Sequence, residues 1–311
     1  MVSKKKESYH VSVMTDEVIE ALEGLSLPIF VEGTIGAGGH ALAILSAHPE
    51  IEKYIGLDRD ERALDIAREN LEPFSDKLIL SHANFADLDE PLMQRGIEEV
   101  SGFFFDLGVS SMQLDEADRG FSFREDALLD MRMNRKEGLS ALDLIRDSSE
   151  SELETILREY GEVPFAKRAA KAIVFERKKT PIETTKQLAT LIENLVGGRG
   201  KIHPATLVFQ GIRIAVNREL ESIKIGLEKA LKFLAPGGLI GVISFHSLED
   251  RIVKNMFRDA SMPPRGQFGK KTGEPLFEVL TKKPMVPTAT EIKKNSRSRS
   301  AKLRWIRKIE K

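Results

Sequence analysis

The chain of 311 residues contains no cysteine. That absence excludes a disulfide scaffold, Cys-ligated zinc, iron–sulfur clusters and thiolate nucleophiles. No run approaches the 18 or so apolar residues that cross a bilayer. Lys4, Lys5 and Lys6 have no apolar segment behind them, so no secretory signal is expected and the expected compartment is the cytoplasm. The six histidines are scattered with no His-x-x-x-His pair, so no metal site is expected. There is no Gly-x-Ser-x-Gly elbow and no internal repeat. Net charge is scarce too: 47 Lys and Arg meet 48 Asp and Glu, leaving −1. Taken alone, that balance argues against a surface coated in positive charge for nucleic acid.

What is present is a 41% hydrophobic content, enough for a real core. Short apolar runs alternate with amphipathic stretches over the first 110 residues. Strands are expected at Ile29–Val31, Lys53–Leu57, Lys77–Leu80 and Val100–Phe105. Helices are expected at Ala41–Ala47, Asp60–Leu71 and Phe85–Arg95. This rhythm gives right-handed βαβ units and a parallel sheet. It breaks after Asp106, and Ser140 to Val196 reads as helical. A long helix with one interruption spans His203–Leu234, and Pro236-Gly237-Gly238 is expected to turn tightly into a strand at Leu239–Ser244. Two further strands are expected at Pro275–Leu280 and Lys302–Ile306. The expected division is residues 1–110 and 206–311 as an α/β part, interrupted by a helical insertion at 111–205.

The strongest local feature is Glu32-Gly33-Thr34-Ile35-Gly36-Ala37-Gly38-Gly39-His40, between a strand and a helix. Glycines there let a ligand approach the main chain. Gly36-x-Gly38-x-x-Ala41 also fits the dinucleotide fingerprint, so the loop alone does not separate a nicotinamide cofactor from S-adenosylmethionine. Asp58, at the end of the second strand, is placed to accept hydrogen bonds from ribose hydroxyls. Ligands of open parallel sheets sit at the carboxyl ends of the strands, so Glu32, Asp58, Asn84, Phe85 and Asp106 are expected to line one crevice. Phe85 offers an aromatic face to an adenine or packs in the core. A carboxylate at Asp106 suits amine chemistry, because it can hold an N–H and accept its proton. Ser247 with Asp250 resembles a capping box, and His246 is a proton carrier, a substrate contact or a structural histidine.

Strings spread along nearly the whole chain carry a resemblance. They include Gly36 and Gly38-Gly39-His40, Asp58-Arg59-Asp60, Asp106 to Ser111, Gln113-Leu114-Asp115 and Arg119-Gly120-Phe121-Ser122-Phe123. Further strings are Leu129 to Met133, His203 to Thr206, Phe209-Gln210, Val216-Asn217, Ser244 to Asp250 and Ser298 to Arg304. Together and in this order they resemble the bacterial small-subunit (16S) ribosomal RNA (cytosine-N4) methyltransferases. The resemblance implies a class I S-adenosylmethionine-dependent methyltransferase fold, Rossmann-like with a mostly parallel sheet, and an inserted α-helical domain for substrate recognition. It implies methylation of N4 of a cytidine in the decoding region. Its cofactor contacts fall on Gly38, Gly39, His40, Asp58, Phe85, Asp106 and Gln113, with Asp106 also the expected catalytic residue. The sequence departs from the family pattern at Glu32, usually Asp, and at Gly211, usually Ala. The missing cysteine then excludes the covalent-adduct route of C5-cytosine methyltransferases, in agreement with direct methylation of an exocyclic amine.

The expected partner is small-subunit ribosomal RNA, with no membrane. The near-zero charge conceals an asymmetry that fits it. Residues 282–311 hold eleven Lys and Arg against two acids, so the remainder is acidic. Arg297, Arg299, Lys302 and Arg304 are candidates for phosphate contact. Trp305 reads as core. Lys167, Arg168, Lys171, Arg177, Lys178 and Lys179 form a second basic cluster on the insertion. Phe245 and Phe123 either stack a flipped-out cytosine or fill the core. A nicotinamide oxidoreductase, a non-catalytic RNA-binding assembly factor and an N4-cytosine DNA methyltransferase are the competing readings. The last would be expected to carry an Asp/Asn-Pro-Pro-Tyr loop, which is absent.

Overall fold

Phe103, Phe104 and Phe105 are consecutive and fully buried. In a strand, neighbouring side chains point to opposite faces, so such a run demands a sheet covered on both sides. The computed structural model, which describes residues 12–197, 203–264 and 272–310, has that sheet. Its elements in chain order begin with α1 (Thr15–Leu22), β1 (Ile29–Glu32), α2 (Gly39–Ala47), β2 (Lys53–Asp58), α3 (Glu61–Asn70), β3 (Leu78–His82), α4 (Asp89–Met93) and β4 (Val100–Asp106). Helices follow: α5 (Ser111–Asp115), α6 (Ala141–Asp147), α7 (Glu150–Glu159), α8 (Ala166–Arg177), α9 (Thr185–Val196), α10 (Ala205–Asn217) and α11 (Glu219–Phe233). The chain then runs through β5 (Leu234–Ser244), α12 (Ser247–Ala260), β6 (Phe277–Val279), α13 (Ala289–Lys294) and β7 (Lys302–Lys308). Among the described residues no helix is long and apolar enough to cross a membrane.

The chain divides into two compact units, residues 1–108 with 220–311, and residues 109–219. In the first, seven strands lie in the order β3-β2-β1-β4-β5-β7-β6. All pair in parallel except β7, which is antiparallel to both neighbours. Phe104 joins Phe30, Tyr54 and Trp305 on one face, while Phe103 and Phe105 join Val31, Ile55 and Phe257 on the other. Chain order reverses between β1 and β4, which opens a crevice at their carboxyl ends. The expected turn at Pro236–Gly238 instead lies inside β5. Leu234 already pairs with Val100, and the register shifts before Gly102. Gly237, at φ +78, absorbs that irregularity as a bulge.

Gly241 faces Trp305 across the β5–β7 pair. A Cβ there would stand 2.3–2.8 Å from three atoms of the indole ring. Gly241→Ala is therefore expected to destabilise the first unit by about 1–3 kcal/mol, read as a lowered melting temperature.

The second unit is helical. Its core brings Leu153, Leu157, Ala169 and Ile173 against Val208, Phe209 and Ile212 of α10. That packing corrects the expected boundary at residue 206: α10 clusters with the insertion, and the α/β part resumes at Leu220. The expected interruption of the long helix is at Arg218, whose φ of +50 separates α10 from α11. Gly211 has a local reason. A Cβ on it would meet the backbone nitrogen of Gly161 at 2.9 Å. Capping boxes start α6, α7 and α9 at Ser140, Ser149 and Thr184.

Candidate active site

The glycine loop leaves β1 and enters α2. Gly36 and Gly38 take φ of +52 and +84, which glycine adopts without strain. The two glycines serve differently. A Cβ on Gly38 would press against Leu71, whereas one on Gly36 would meet nothing within 4 Å. So Gly38 seats the loop on α3, and Gly36 borders open space. Gly38 caps α2, leaving the N–H groups of its first turn at the positive end of the helix dipole.

Asp58 ends β2 and fastens this loop. Its Oδ2 accepts from the Gly36 N–H at 2.9 Å and its Oδ1 from the Asp60 N–H at 2.8 Å. Burial pushes its carboxyl up to about 6, against the pull of those N–H bonds. With the Arg59 N–H as a third donor, the carboxylate still has acceptor capacity for one more. Glu32 ends β1 and is buried. Tyr54 donates to its Oε2 at 2.6 Å, and Oε1 is a buried oxygen with no hydrogen-bond partner among the described residues. Burial holds its carboxyl well above the ordinary range; Tyr54 opposes that, and Asp106 and Asp58 add to it.

Asp106 ends β4, with its N–H donating to Thr34 Oγ1 at 2.7 Å. Its Oδ2 stands 3.6 Å from Nδ1 of His40, while Oδ1 is buried with no hydrogen-bond partner among the described residues. His40 is itself buried, its Nε2 bound to the Val13 carbonyl at 2.8 Å. A carbonyl only accepts, so Nε2 carries the hydrogen and Nδ1 is the nitrogen turned to Asp106. Burial, and secondarily the Glu249 carboxylate, push Asp106 up to about 8. Glu249 is fully buried and accepts from the N–H groups of Phe245 (2.8 Å) and His246 (3.3 Å).

Phe85 starts the turn after β3, which Asn84 caps; the Asn84 amide also donates to Ser222 Oγ at 2.9 Å. Its ring meets Phe105 edge-on at 5.6 Å. A Cβ on Gly226 would stand 2.5 Å from that ring, so α11 comes close to it. Phe85 is half-buried. Gln113 belongs to the helical unit, where it is buried and closes the capping box of α5 with Ser110.

Several expectations need correction. The cap of α12 is His246 with Glu249, not Ser247 with Asp250. Asp250 instead pairs with Arg304 at 2.7 Å and Lys302 at 3.3 Å, which holds its carboxyl below the ordinary range. Arg304 is only 5% exposed, so it ties β7 to α12 and is not a phosphate ligand. Of the two readings kept for Phe123 and Phe245 the packing one is seen, with Phe123 against His203 and Phe209 and Phe245 against the sheet core. Several matching strings prove to fasten loops within the helical unit. Asn217 accepts from the Met133 N–H and donates to the Met131 carbonyl, and Arg119 donates to the carbonyls of Arg132 and Met133. Tyr54 escaped the sequence reading, and Thr34 and Glu249, though inside quoted strings, were given no role. Only the His246-x-x-Glu249 spacing carried a readable signal, since it is a capping box with histidine in the first position.

Carboxylates thus end β1, β2 and β4, the strands at and beside the switch point. A family model described as the MraW methylase family matches residues 7–309. The chain belongs to the MraW methylase family. Its curated relatives span nearly its whole length. The Ribosomal RNA small subunit methyltransferase H of Citrifermentans bemidjiense is 46% identical over 98% of this chain and 100% of its own. Those of Sulfurihydrogenibium sp. and Geotalea uraniireducens are each 47% identical, over 96% and 97% of this chain and 99% of theirs. The fold is thus that of a class I methyltransferase, and S-adenosylmethionine is the cofactor; the nicotinamide reading falls away.

The crevice fits that cofactor. S-adenosylmethionine brings a sulfonium and an ammonium, both cationic, and two ribose hydroxyls. Glu32 Oε1 and Asp106 Oδ1 are buried acceptor oxygens lacking a hydrogen-bond donor among the described residues, and the Asp58 carboxylate retains acceptor capacity beyond its backbone N–H donors. Three carboxyls driven up by burial are the groups a buried cation would relieve.

Proposed function

We propose that the protein methylates N4 of a cytidine in the decoding region of small-subunit ribosomal RNA, in the cytoplasm. The observation that carries this reading is the buried Asp106 carboxyl at the end of β4, with Oδ1 unpaired and an affinity for protons near neutrality. Bound S-adenosylmethionine supplies an electrophilic methyl group on sulfur. In this reading Asp58 holds the ribose hydroxyls, and the backbone at Gly38, Gly39 and His40 meets the cofactor at the start of α2. Glu32 faces its ammonium, and Phe85 lies against the adenine. Gln113 joins the set on the family resemblance alone.

The cytosine N4 lone pair is delocalised into the ring, so it is a poor nucleophile. Asp106 Oδ1, with the carbonyls of Leu107 and Gly108, holds the amine N–H groups and draws that lone pair out of conjugation. The N4–carbon bond forms as the carbon–sulfur bond breaks, and Asp106 takes the proton that N4 releases. Oδ2 lies on the His40 side, and Oδ1 is the oxygen left for the substrate.

The test incubates the protein and labelled S-adenosylmethionine with separate pools of small subunits, naked RNA and DNA, and maps the methyl group by mass. Label on N4 of a decoding-region cytidine supports the reading. Label confined to DNA, or RNA binding without turnover, overturns it.

On the C-terminal segment Lys282, Lys283, Lys293, Lys294 and Arg299 are exposed. If these five contact phosphates, the slope of log affinity for single-stranded RNA against log salt gains roughly 0.7 from each. Replacing Lys293, Lys294 and Arg299 with Gln is expected to flatten the slope by about 2, measured by anisotropy across a salt series.

A further inference from the structure

Helix α8 presents a face that its own core does not use. Ala166, Ala169, Ala170 and Ile173 are buried in the helical unit. On the outer side stand Lys167, Lys171, Phe175, Lys178 and Lys179, all exposed. At 3.6 residues per turn, positions 167, 171, 175 and 178 form one stripe, roughly 16 Å long at 1.5 Å per residue.

Two observations set this stripe apart from an ordinary solvated helix face. The first is Phe175, which is 60% exposed. Single exposed apolar side chains are common, but a phenyl ring set among lysines offers a flat π-face on which a base can stack. The ammonium of Lys179 lies over that ring at 3.9 Å from its centroid. The second is the state of the charges. Residues 166–179 hold six basic groups and one acid, Glu176. Arg168 and Arg177 spend their guanidinium groups on the carbonyls of Leu195 and Ile145. Among the described residues, Lys167, Lys171 and Lys178 have no acidic partner. Three unneutralised ammonium groups therefore flank a ring already held in place by a fourth.

We infer that the outer face of α8 is a binding surface for single-stranded RNA, with Phe175 stacking one unpaired base and Lys167, Lys171 and Lys178 holding the phosphates beside it. A basic track interleaved with an aromatic ring matches a single strand, whose bases are free to stack. A duplex offers phosphates but no exposed base face. An acidic protein offers charge without a planar partner for the ring. This surface deepens the reading of the protein as an RNA methyltransferase and rests on it for its biological substrate.

The test uses the full chain and two labelled probes of equal length, a single-stranded adenine- and uridine-rich RNA of about twelve nucleotides and its duplex. Phe175→Ala is expected to weaken the single strand by roughly 10-fold, with little effect on the duplex. Phe175→Trp is expected to restore binding. Lys171→Gln with Lys178→Gln is expected to flatten the single-strand salt slope by about 1.4. The KM for small subunits should rise in Phe175→Ala, while S-adenosylmethionine affinity stays at the parent value and reports an intact fold. Parent-like single-strand affinity in Phe175→Ala, or an equal loss on the duplex, overturns the inference. Displacement of the RNA by polyglutamate with no dependence on Phe175 does the same. The two readings fail separately. A parent protein that methylates small subunits while Phe175→Ala leaves RNA binding untouched refutes only the α8 surface. A Phe175-dependent RNA affinity in a protein that methylates no RNA refutes only the proposed reaction.

Discussion

Asp106→Asn is expected to cut methyl transfer by about 10²-fold or more while S-adenosylmethionine still binds. The amide keeps the size of the side chain but can neither carry the charge that draws on the N4 lone pair nor take its proton. Single-turnover transfer of labelled methyl is the measurement; full turnover with intact cofactor binding would sink the assignment. The pH dependence supplies a second readout. In the free enzyme the carboxyl is pushed up to about 8, so kcat/KM of the parent should rise with pH toward that value. The Asn variant lacks that limb. Stability moves the other way. A carboxyl whose folded value exceeds its unfolded one binds its proton more tightly when folded. Its contribution is whole below pH 4 and is lost as pH climbs to about 8. Asp106→Asn without ligand is therefore expected to melt above the parent at pH 9, with the gap closing toward pH 4. The site gives up stability in the empty protein to keep a carboxyl that works on substrate.

Much of this arrangement was legible because it is written in local pattern. Apolar runs ending in Asp58, His82 and Asp106 marked the strand ends, and strand ends mark the crevice of an open sheet. Val100–Phe105 read as a strand, and the structure adds that both its faces are covered. Contacts across long sequence separations were not legible. Tyr54 reaches Glu32 from 22 residues away, and Arg304 reaches Asp250 from 54. No local period encodes either, and Arg304 reads as a free phosphate ligand until its ion pair is seen. The capping box of α12 was displaced by one residue, because histidine is an unusual cap and Ser247 looked the better one. The boundary at residue 206 failed for a related reason. Helices α10 and α11 have continuous apolar periodicity, and only the left-handed Arg218 divides them between two cores. Near-zero net charge was the least informative feature, since it averaged an acidic body with a basic C-terminal segment.

Asp58→Asn is expected to weaken S-adenosylmethionine by roughly 100-fold, and S-adenosylhomocysteine by a similar factor. The two ligands share the ribose and differ at sulfur, so a residue that reads the ribose treats them alike. Both carboxylate oxygens already accept backbone N–H groups, from Gly36 and Asp60. An amide turns its NH2 toward one of those donors whichever way it is flipped. If it faces Gly36, the left-handed turn at φ +52 loses its tether; if it faces Asp60, the entry to α3 does. Either way one charge-assisted bond within the loop goes, and the ribose hydroxyls meet a neutral group. Hydrogen bonds to charged groups are worth about 1.5–3 kcal/mol each, which makes 100-fold the scale of the loss. Affinity in the parent should also climb between pH 5 and pH 7, as a carboxyl pushed up to about 6 ionises, and the Asn variant should lack that climb. Isothermal titration of both ligands at several pH values decides it. Affinities within threefold of the parent for both would mean that Asp58 shapes the loop and leaves the ribose to other groups.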